Sequence, residues 1–248
     1  METMDRVATG ILGFDELIEG GFPRGRSILV SGAAGCGKTI FSTQFLVNGI
    51  KDHDEPGILL TLDEGPNDLR QDMKVFGWDL AKLEKQDKLA IIDASTPKIG
   101  VPSEERFAIP DMNLDYDRLL YKVMQVADQI GAKRAVIDSI AGLGWHMQGE
   151  NDIRKSILKT GYMLSRSGLT SILTSEIPNQ GSGSNNMISK YGVEEYVTDG
   201  VITLHYHGAA MEAPRTLFVR KMRSTSHSES VLPMKITKRG IMVLPAQD

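Results

Sequence analysis

Gly32-Ala33-Ala34-Gly35-Cys36-Gly37-Lys38-Thr39 is the stretch that decides how this chain is read. The apolar run Ile28-Leu29-Val30 leads into it and an amphipathic segment, Phe41 to Ile50, leads away, so the order is strand, glycine-rich turn, helix. A G-x-x-x-x-G-K-[ST] pattern in that setting is a phosphate-binding loop. Its glycines let the backbone curl with the N–H groups inward, and the helix opening near Lys38 adds the positive end of its dipole. Lys38 is expected to reach the β- and γ-phosphates of a bound ATP or ADP, and the Thr39 hydroxyl to hold Mg²⁺. Gly32, Ala33, Ala34, Gly35, Cys36, Gly37 and Ile40 complete the nucleotide-binding segment. Cys36 occupies a variable slot of the loop, where a small residue is tolerated, and is not read as a redox control.

Outward from the loop, strand-like and helix-like runs alternate. Residues 9 to 27 read as a short helix and turn, and Gly57 to Leu62 as a strand ending in Asp63-Glu64. Pro66 opens a helix to Phe76 with Gly77 as its stop, and Leu89 to Ile92 is a strand ending at Asp93. Residues 95 to 113 read as a long exposed loop. The spacing Leu119, Leu120, Val123, Met124, Ala127, Ile130 is helical, Gly131 ends it, and Met124 is core filling. Ala135-Val136-Ile137-Asp138-Ser139 is an apolar strand with an acid at its carboxyl end, where Mg²⁺ takes its second anchor, usually through water. Residues 150 to 167 form a helix, and Leu169 to Thr174 a strand ending in Ser175-Glu176. The alternation implies a parallel sheet covered on both faces, with ligands at the carboxyl ends of the strands, and it brings Asp63-Glu64, Asp138, Ser139 and Ser175 to one edge. Gly200 to Tyr206, Thr216 to Arg220, Val231 to Thr237 and Ile241 to Leu244 are short β-like runs that suggest an antiparallel meander.

Bulk properties narrow the classes. A chain of 248 residues can bury its core as one domain spanning 1–248. A single cysteine makes no internal disulfide, Met1 to Thr9 lacks the features of a signal peptide, and no apolar stretch approaches the ~20 residues that span a bilayer, so a cytoplasmic protein without a membrane partner is expected. The net charge of −4 speaks against a general nucleic-acid binder.

Several further stretches carry a resemblance. Thr61-Leu62-Asp63-Glu64-Gly65-Pro66, Phe76-Gly77-Trp78-Asp79-Leu80-Ala81-Lys82-Leu83 and Ile92-Asp93-Ala94-Ser95 resemble the KaiC family, the RecA-type ATPases that include the bacterial circadian clock protein. The likeness continues through Val136 to Ile140, Tyr191 to Asp199 and Lys221-Met222-Arg223-Ser224-Thr225-Ser226-His227, covering residues 7 to 245 in order. It implies a RecA-like three-layer α/β/α domain. It also implies a self-assembled ring, usually a hexamer, with ATP between neighbouring subunits. Lys221 and Arg223 match the basic pair that reaches the neighbour's site, with His227 close by, and residues two apart on an extended strand share a face. A cation supplied in trans can be worth about 10³–10⁵ in rate. Glu64 matches the glutamate that orients or deprotonates the attacking water, and Asp63 replaces a second glutamate. Two adjacent carboxylates repel, which is one route to a base with a raised pKa. Glu195 and Tyr196 stand where the clock protein's second domain carries its phosphorylated Ser and Thr, which argues against Ser/Thr autokinase activity. Glu229 and Lys238 leave base selectivity open, and the sequence names no regulatory protein partner.

Two other classes compete with a slow Mg²⁺-dependent ATPase. One is a recombinase paralogue that binds single-stranded DNA through the Gly/Ser/Asn-rich loop 179 to 186, but that loop has no Arg, Lys or aromatic residue to hold phosphate or stack on bases. The other is a nucleotide-sensing scaffold with little turnover. His205 and His207 lack a third ligand for a metal site, and Trp145-His146 is read as a pore or partner surface, or as ordinary packing.

Overall fold

Ser27–Gly32 (β3) lies inside the largest sheet, and every one of its residues is buried. The computed structural model describes residues 4–109, 116–142, 149–177, 187–208 and 214–245. A two-stranded ribbon of Arg6–Val7 (β1) and Phe22–Pro23 (β2) precedes β3. Lys38–His53 (α1), Gly57–Thr61 (β4), Pro66–Lys74 (α2), Leu80–Lys85 (α3) and Leu89–Asp93 (β5) follow it. Next come Ser95–Lys98 (α4), Phe107–Ala108 (β6), Tyr116–Ile130 (α5), Arg134–Asp138 (β7), Glu150–Arg166 (α6) and Thr170–Glu176 (β8). The chain continues through Glu194–Val197 (α7), Gly200–Tyr206 (β9), Arg215–Met222 (β10), Leu232–Thr237 (β11) and Gly240–Val243 (β12).

Among the described residues ten strands form one sheet in the order β12-β11-β10-β9-β3-β8-β7-β4-β5-β6. From β9 to β6 the pairing is parallel, and the interior strands β4, β5 and β7 are almost entirely apolar because helices cover both of their faces. On one face Phe41, Phe45 and Leu46 of α1 pack with Ile28, Val30, Ile202 and Leu204. On the other, Leu119 and Val123 of α5 and Ile157 and Leu164 of α6 pack with Ile58, Leu60, Ile137 and Leu173. The result is the expected three layers.

The last four strands form the expected antiparallel meander, and because β9 also pairs parallel with β3 they extend the same sheet. One expectation changes: residues 95 to 113 are not simply an exposed loop. Asp93, 1% exposed, accepts hydrogen bonds from the hydroxyls of Ser95 at 2.8 Å and Ser103 at 2.6 Å. Burial pushes its carboxyl up, but these hydroxyls and that of Thr96 outweigh it and hold it below the usual range. Arg70 adds a second tie, pairing with Glu84 at 2.7 Å and Glu105 at 2.6 Å, and Phe107 and Ile109 enter the core. Residues 110–115 lie outside the described ones.

A buried charge locks α1 to the start of β7. Arg134 is 1% exposed and its Nε donates to Glu55 Oε2 at 2.8 Å, while Nη1 donates to Ala8 O at 2.9 Å and Phe45 O at 2.8 Å. Its guanidinium also lies 4.5 Å over the Phe45 ring. Room exists because Gly49 has no side chain: a Cβ there would stand 2.2 Å from Arg134 Nε. Gly49→Ala should therefore lower stability by about 2 kcal/mol in urea denaturation, against the roughly 1 kcal/mol that helix propensity alone predicts in favour of Ala. An unchanged or raised midpoint would contradict the packing. Burial pushes the Glu55 carboxyl up, but Arg134 and Arg24 outweigh it and hold it low. A carboxyl lowered in the folded state stabilises fully above its unfolded pKa and loses that contribution as pH falls through the folded value. Glu55→Gln should cost about 3 kcal/mol at pH 7, a gap that narrows below about pH 4. A gap independent of pH would contradict the ion pair.

Candidate functional site

The turn after β3 takes its shape from glycine. Gly35 and Gly37 have φ of 76° and 107°, and Gly37 precedes α1 with no side chain capping the helix. A Cβ on Gly32 would stand 2.4 Å from Leu204 O and 2.5 Å from Cys36 Sγ, so only glycine lets β9 and the loop approach here. Cys36 is fully buried in the core, and burial pushes its thiol up despite nearby Lys38. Lys38 Nζ curls back over the loop and donates to Gly32 O at 2.9 Å and Ala33 O at 3.1 Å.

Gly35, Gly37, Lys38, Thr39 and Ile40 line one side of a pocket of about 450 Å³. Glu64 lines it from the end of β4, and Asp72, Met73, Val75 and Phe76 from α2 and the turn that follows. Ile236 and Arg215 close it from the antiparallel strands, and Arg215 donates to Gly35 O at 3.3 Å with its guanidinium 4.5 Å over the Tyr206 ring. Neither Arg215 nor the α2 residues are singled out in the sequence analysis. Asp68 and Asp72, four apart on a helix that starts just after Glu64, were a readable signal, because that spacing puts both on one face. Arg215 had no such signal, since its place depends on which strand β10 pairs with.

Asp138 ends β7 beside this pocket. Burial pushes its carboxyl up, while hydrogen bonds from Thr174 and Thr39 and the charge of Lys38 oppose the shift and Asp63 adds to it. Thr39 thus lies near enough to Asp138 to act on its carboxyl, a hydroxyl and a carboxylate whose oxygens suit a hard cation such as Mg²⁺. Ser139 is turned to another partner: its Oγ donates to Asp63 Oδ2 at 2.5 Å. Burial raises the Glu64 carboxyl, and Asp72, Asp138 and Asp68 raise it further. The repulsion therefore comes from Asp72 and Asp68 on the following helix and from Asp138 on another strand, more than from the adjacent Asp63 that the doublet suggests.

Other expected site residues lie elsewhere. Ser175 is fully buried on the far side of β8, where its Oγ donates to Glu194 Oε1 at 2.9 Å, so it does not line the pocket. Lys221 and Arg223 line a different pocket with Ile188, Glu195 and Tyr196. Lys221 Nζ donates to Glu195 O at 3.0 Å and Thr198 O at 2.6 Å, and burial, then Arg223, pushes its amine down. Arg223 stands just past the end of β10, after a bulge between Val219 and Lys221, and its guanidinium faces Asp199 at 3.5 Å. A bulge and a strand end, more than simple alternation, bring this pair together. His227 follows on the segment that Ser228 N–H ties to Leu17 O at 3.0 Å. Glu229 and Lys238 are both exposed.

The His205 and His207 rings stack at 5.9 Å, and burial, then His207, lowers the His205 pKa. Among the described residues no group of three His, Cys, Asp or Glu could hold a metal ion, and no helix is long and apolar enough to cross a membrane. Trp145-His146 and the loop 179 to 186 lie outside the described residues.

Comparison with known proteins agrees with this geometry. A family model described as "ATPase: KaiC" matches residues 7–248. A UPF0273 protein of Methanocaldococcus jannaschii is 41% identical over 244 residues, which cover 98% of this chain and 97% of that protein. The circadian clock oscillator protein KaiC of Synechococcus elongatus is 37% identical over 245 residues, 98% of this chain but 45% of the clock protein, so the chain spans about half the length of that relative. The crystal structure of a KaiC-like protein from Pyrococcus horikoshii OT3 matches with a TM-score of 0.82 at 39% identity, covering 98% of this chain and 100% of the other. With a glycine loop, an acid-ended strand and a mainly parallel sheet in one arrangement, and with these matches along nearly its whole length, the chain belongs to the KaiC family of ATPases.

Proposed function

We propose that this chain is a Mg²⁺-dependent ATPase that works as one domain in a homo-oligomeric ring, hexameric as the family resemblance implies, in the cytoplasm. The observation that carries the reading is one pocket lined by Lys38, Thr39 and Glu64, with the buried carboxyl of Asp138 near Thr39 and Lys38 at its side. In this reading the backbone N–H groups of Gly35 to Thr39 and the Lys38 ammonium bind the phosphates of ATP. Mg²⁺, held by Thr39 and through water by Asp138, would neutralise charge on the β- and γ-phosphates. Glu64 takes a proton from the attacking water or orients it, and burial with nearby acids raises its carboxyl in the direction that strengthens a base.

The position of Lys221 and Arg223 supports a site shared between subunits. Lys221 lies opposite Val201, which pairs with Leu29, so it sits about 10 Å back along the sheet from Gly32. Alternation along β9 also puts it on the face away from α1. Its own subunit's P-loop is out of reach from there, and to reach a neighbour's its ammonium would leave the carbonyls of Glu195 and Thr198. His227 follows on the same exposed segment.

Two outcomes test this reading. Glu64→Gln should lower ATP turnover by about 10²-fold or more while a fluorescent ATP analogue binds within about twofold of wild type. In the wild type, turnover should rise with pH along an acid limb whose midpoint lies above the ordinary Glu value of about 4.3. Unchanged hydrolysis in the variant would remove Glu64 from the chemistry. Arg223→Ala, and separately dilution to a monomer confirmed by light scattering, should depress hydrolysis by about 10³-fold and binding far less. Activity per chain that stays constant in a clearly monomeric sample would overturn the shared site.

A further inference from the structure

Glu194 opens α7, is fully buried, and gathers four donors on one carboxylate. Ser175 Oγ reaches Oε1 at 2.9 Å and Ser189 Oγ reaches Oε2 at 2.8 Å. The N–H groups of Tyr191 and Val193 donate at 3.2 Å and 3.1 Å. A buried carboxylate is tolerated only when its oxygens are saturated in this way, and an apolar side chain would serve better if packing were the only requirement.

The two ends of this knot lie in different places. One end is β8, where Ser175 follows Thr174, and Thr174 Oγ1 donates to Asp138. Alternation puts Thr174 on the Asp138 side of the sheet and Ser175 on the Glu194 side, so a shift of the strand moves both. Thr39 lies near the same Asp138. The other end is α7, a single turn too short to hold itself, whose Glu194 O accepts from Thr198 N–H at 3.1 Å and Thr198 Oγ1 at 2.9 Å. Lys221 Nζ sits over this turn's carboxyl end, on the carbonyls of Glu195 and Thr198. A cation there satisfies acceptors that the helix leaves free.

We propose that Glu194 is a positioning residue that ties α7 to the end of β8, so that the state of a subunit's own nucleotide site sets how Lys221 is presented to the adjacent subunit. This rests on the reading that Lys221 acts in trans. The connection from Asp138, beside the nucleotide pocket, through Thr174, Ser175 and Glu194 to α7 is continuous in covalent and hydrogen bonds, which is the physical requirement for coupling two sites through packed elements.

Co-assembled rings test it. Lys221→Ala subunits keep an intact nucleotide pocket but offer no lysine; Glu64→Gln subunits offer the lysine but cannot hydrolyse. Mixed, they should turn over ATP more than about tenfold faster than either alone. Donors carrying both Glu64→Gln and Glu194→Gln should lose most of that roughly tenfold gain and leave turnover close to that of the unmixed variants, because a displaced cation loses most of its effect. Light scattering should show rings of the same size in every mixture. In the otherwise unaltered chain, Glu194→Gln should lower kcat and leave KM within about twofold. Ser175→Ala in the donor, which removes one of the four donors, should act in the same direction and decides the matter where Glu194→Gln fails to fold. Equal rescue by donors with and without the Glu194 and Ser175 changes would overturn the role of Glu194 and leave the shared site standing. No rescue by any donor would overturn the shared site, and this proposal with it.

Discussion

Gly32 is a point of close approach between the P-loop strand and β9. Because a side chain there would overlap both Leu204 O and Cys36 Sγ, the backbone of β9 can run directly beside the strand that launches the P-loop. That contact keeps β3 parallel to β9 as well as to β8, with Gly32 level with Leu204 and Glu176. Registers on the other side then follow without freedom: Val30 is level with Thr174, Ile137 with Leu173, and Asp138 with Thr61. Glu64, three residues past Thr61, and Thr39, at the head of α1, are brought to Asp138 by this stack of pairings, and Leu62 N–H donating to Asp138 O at 2.8 Å fastens the Glu64 segment there.

The same geometry concentrates acid. Asp72, Asp138 and Asp68 act on Glu64, with Lys38 and Arg215 as the nearby cations of the pocket. Burial raises the carboxyls of both Glu64 and Asp138, and neighbouring acids add to it, so both hold protons more tightly than exposed acids do. A site of this kind favours polyphosphate together with a divalent cation over either alone, because each relieves a repulsion that the other would leave.

Direction changes at β9. Its parallel edge belongs to the nucleotide half, and its antiparallel edge sends β10 back, so the start of β10 and its end serve different places. Arg215, at the start, leans over the P-loop, whereas Lys221, near the end, rests on α7. One strand therefore carries a cation for its own pocket and a cation well away from it. Inserting a strand of mixed pairing is the economical way to achieve this, since a purely parallel sheet would bring both ends to the same edges.

Much was legible from local pattern. The glycine loop, the acid-ended apolar strands, the helix spacing of Leu119 to Ile130 and the Gly77 and Gly131 stops all depend on residues within a turn or two of one another, and such signals survive in one dimension. The pocket's far wall was not, because Arg215 and Ile236 meet the P-loop only after four antiparallel strands are placed in order. Ser175 shows the limit from the other side: it lies at the expected edge of the sheet, yet strand alternation turns it away from the nucleotide pocket and into the knot around Glu194. The source of the raised Glu64 carboxyl was likewise misread from its neighbour in the doublet, since electrostatic repulsion follows distance in space. By itself the sequence determined the strand–loop–helix core, the class of ligand and the family likeness, which need only spacing and residue type. Tertiary structure alone decided which acids face Glu64, which cation reaches which pocket and which serine is hidden, because each depends on strand order and register, and these are set by contacts between residues far apart in the chain.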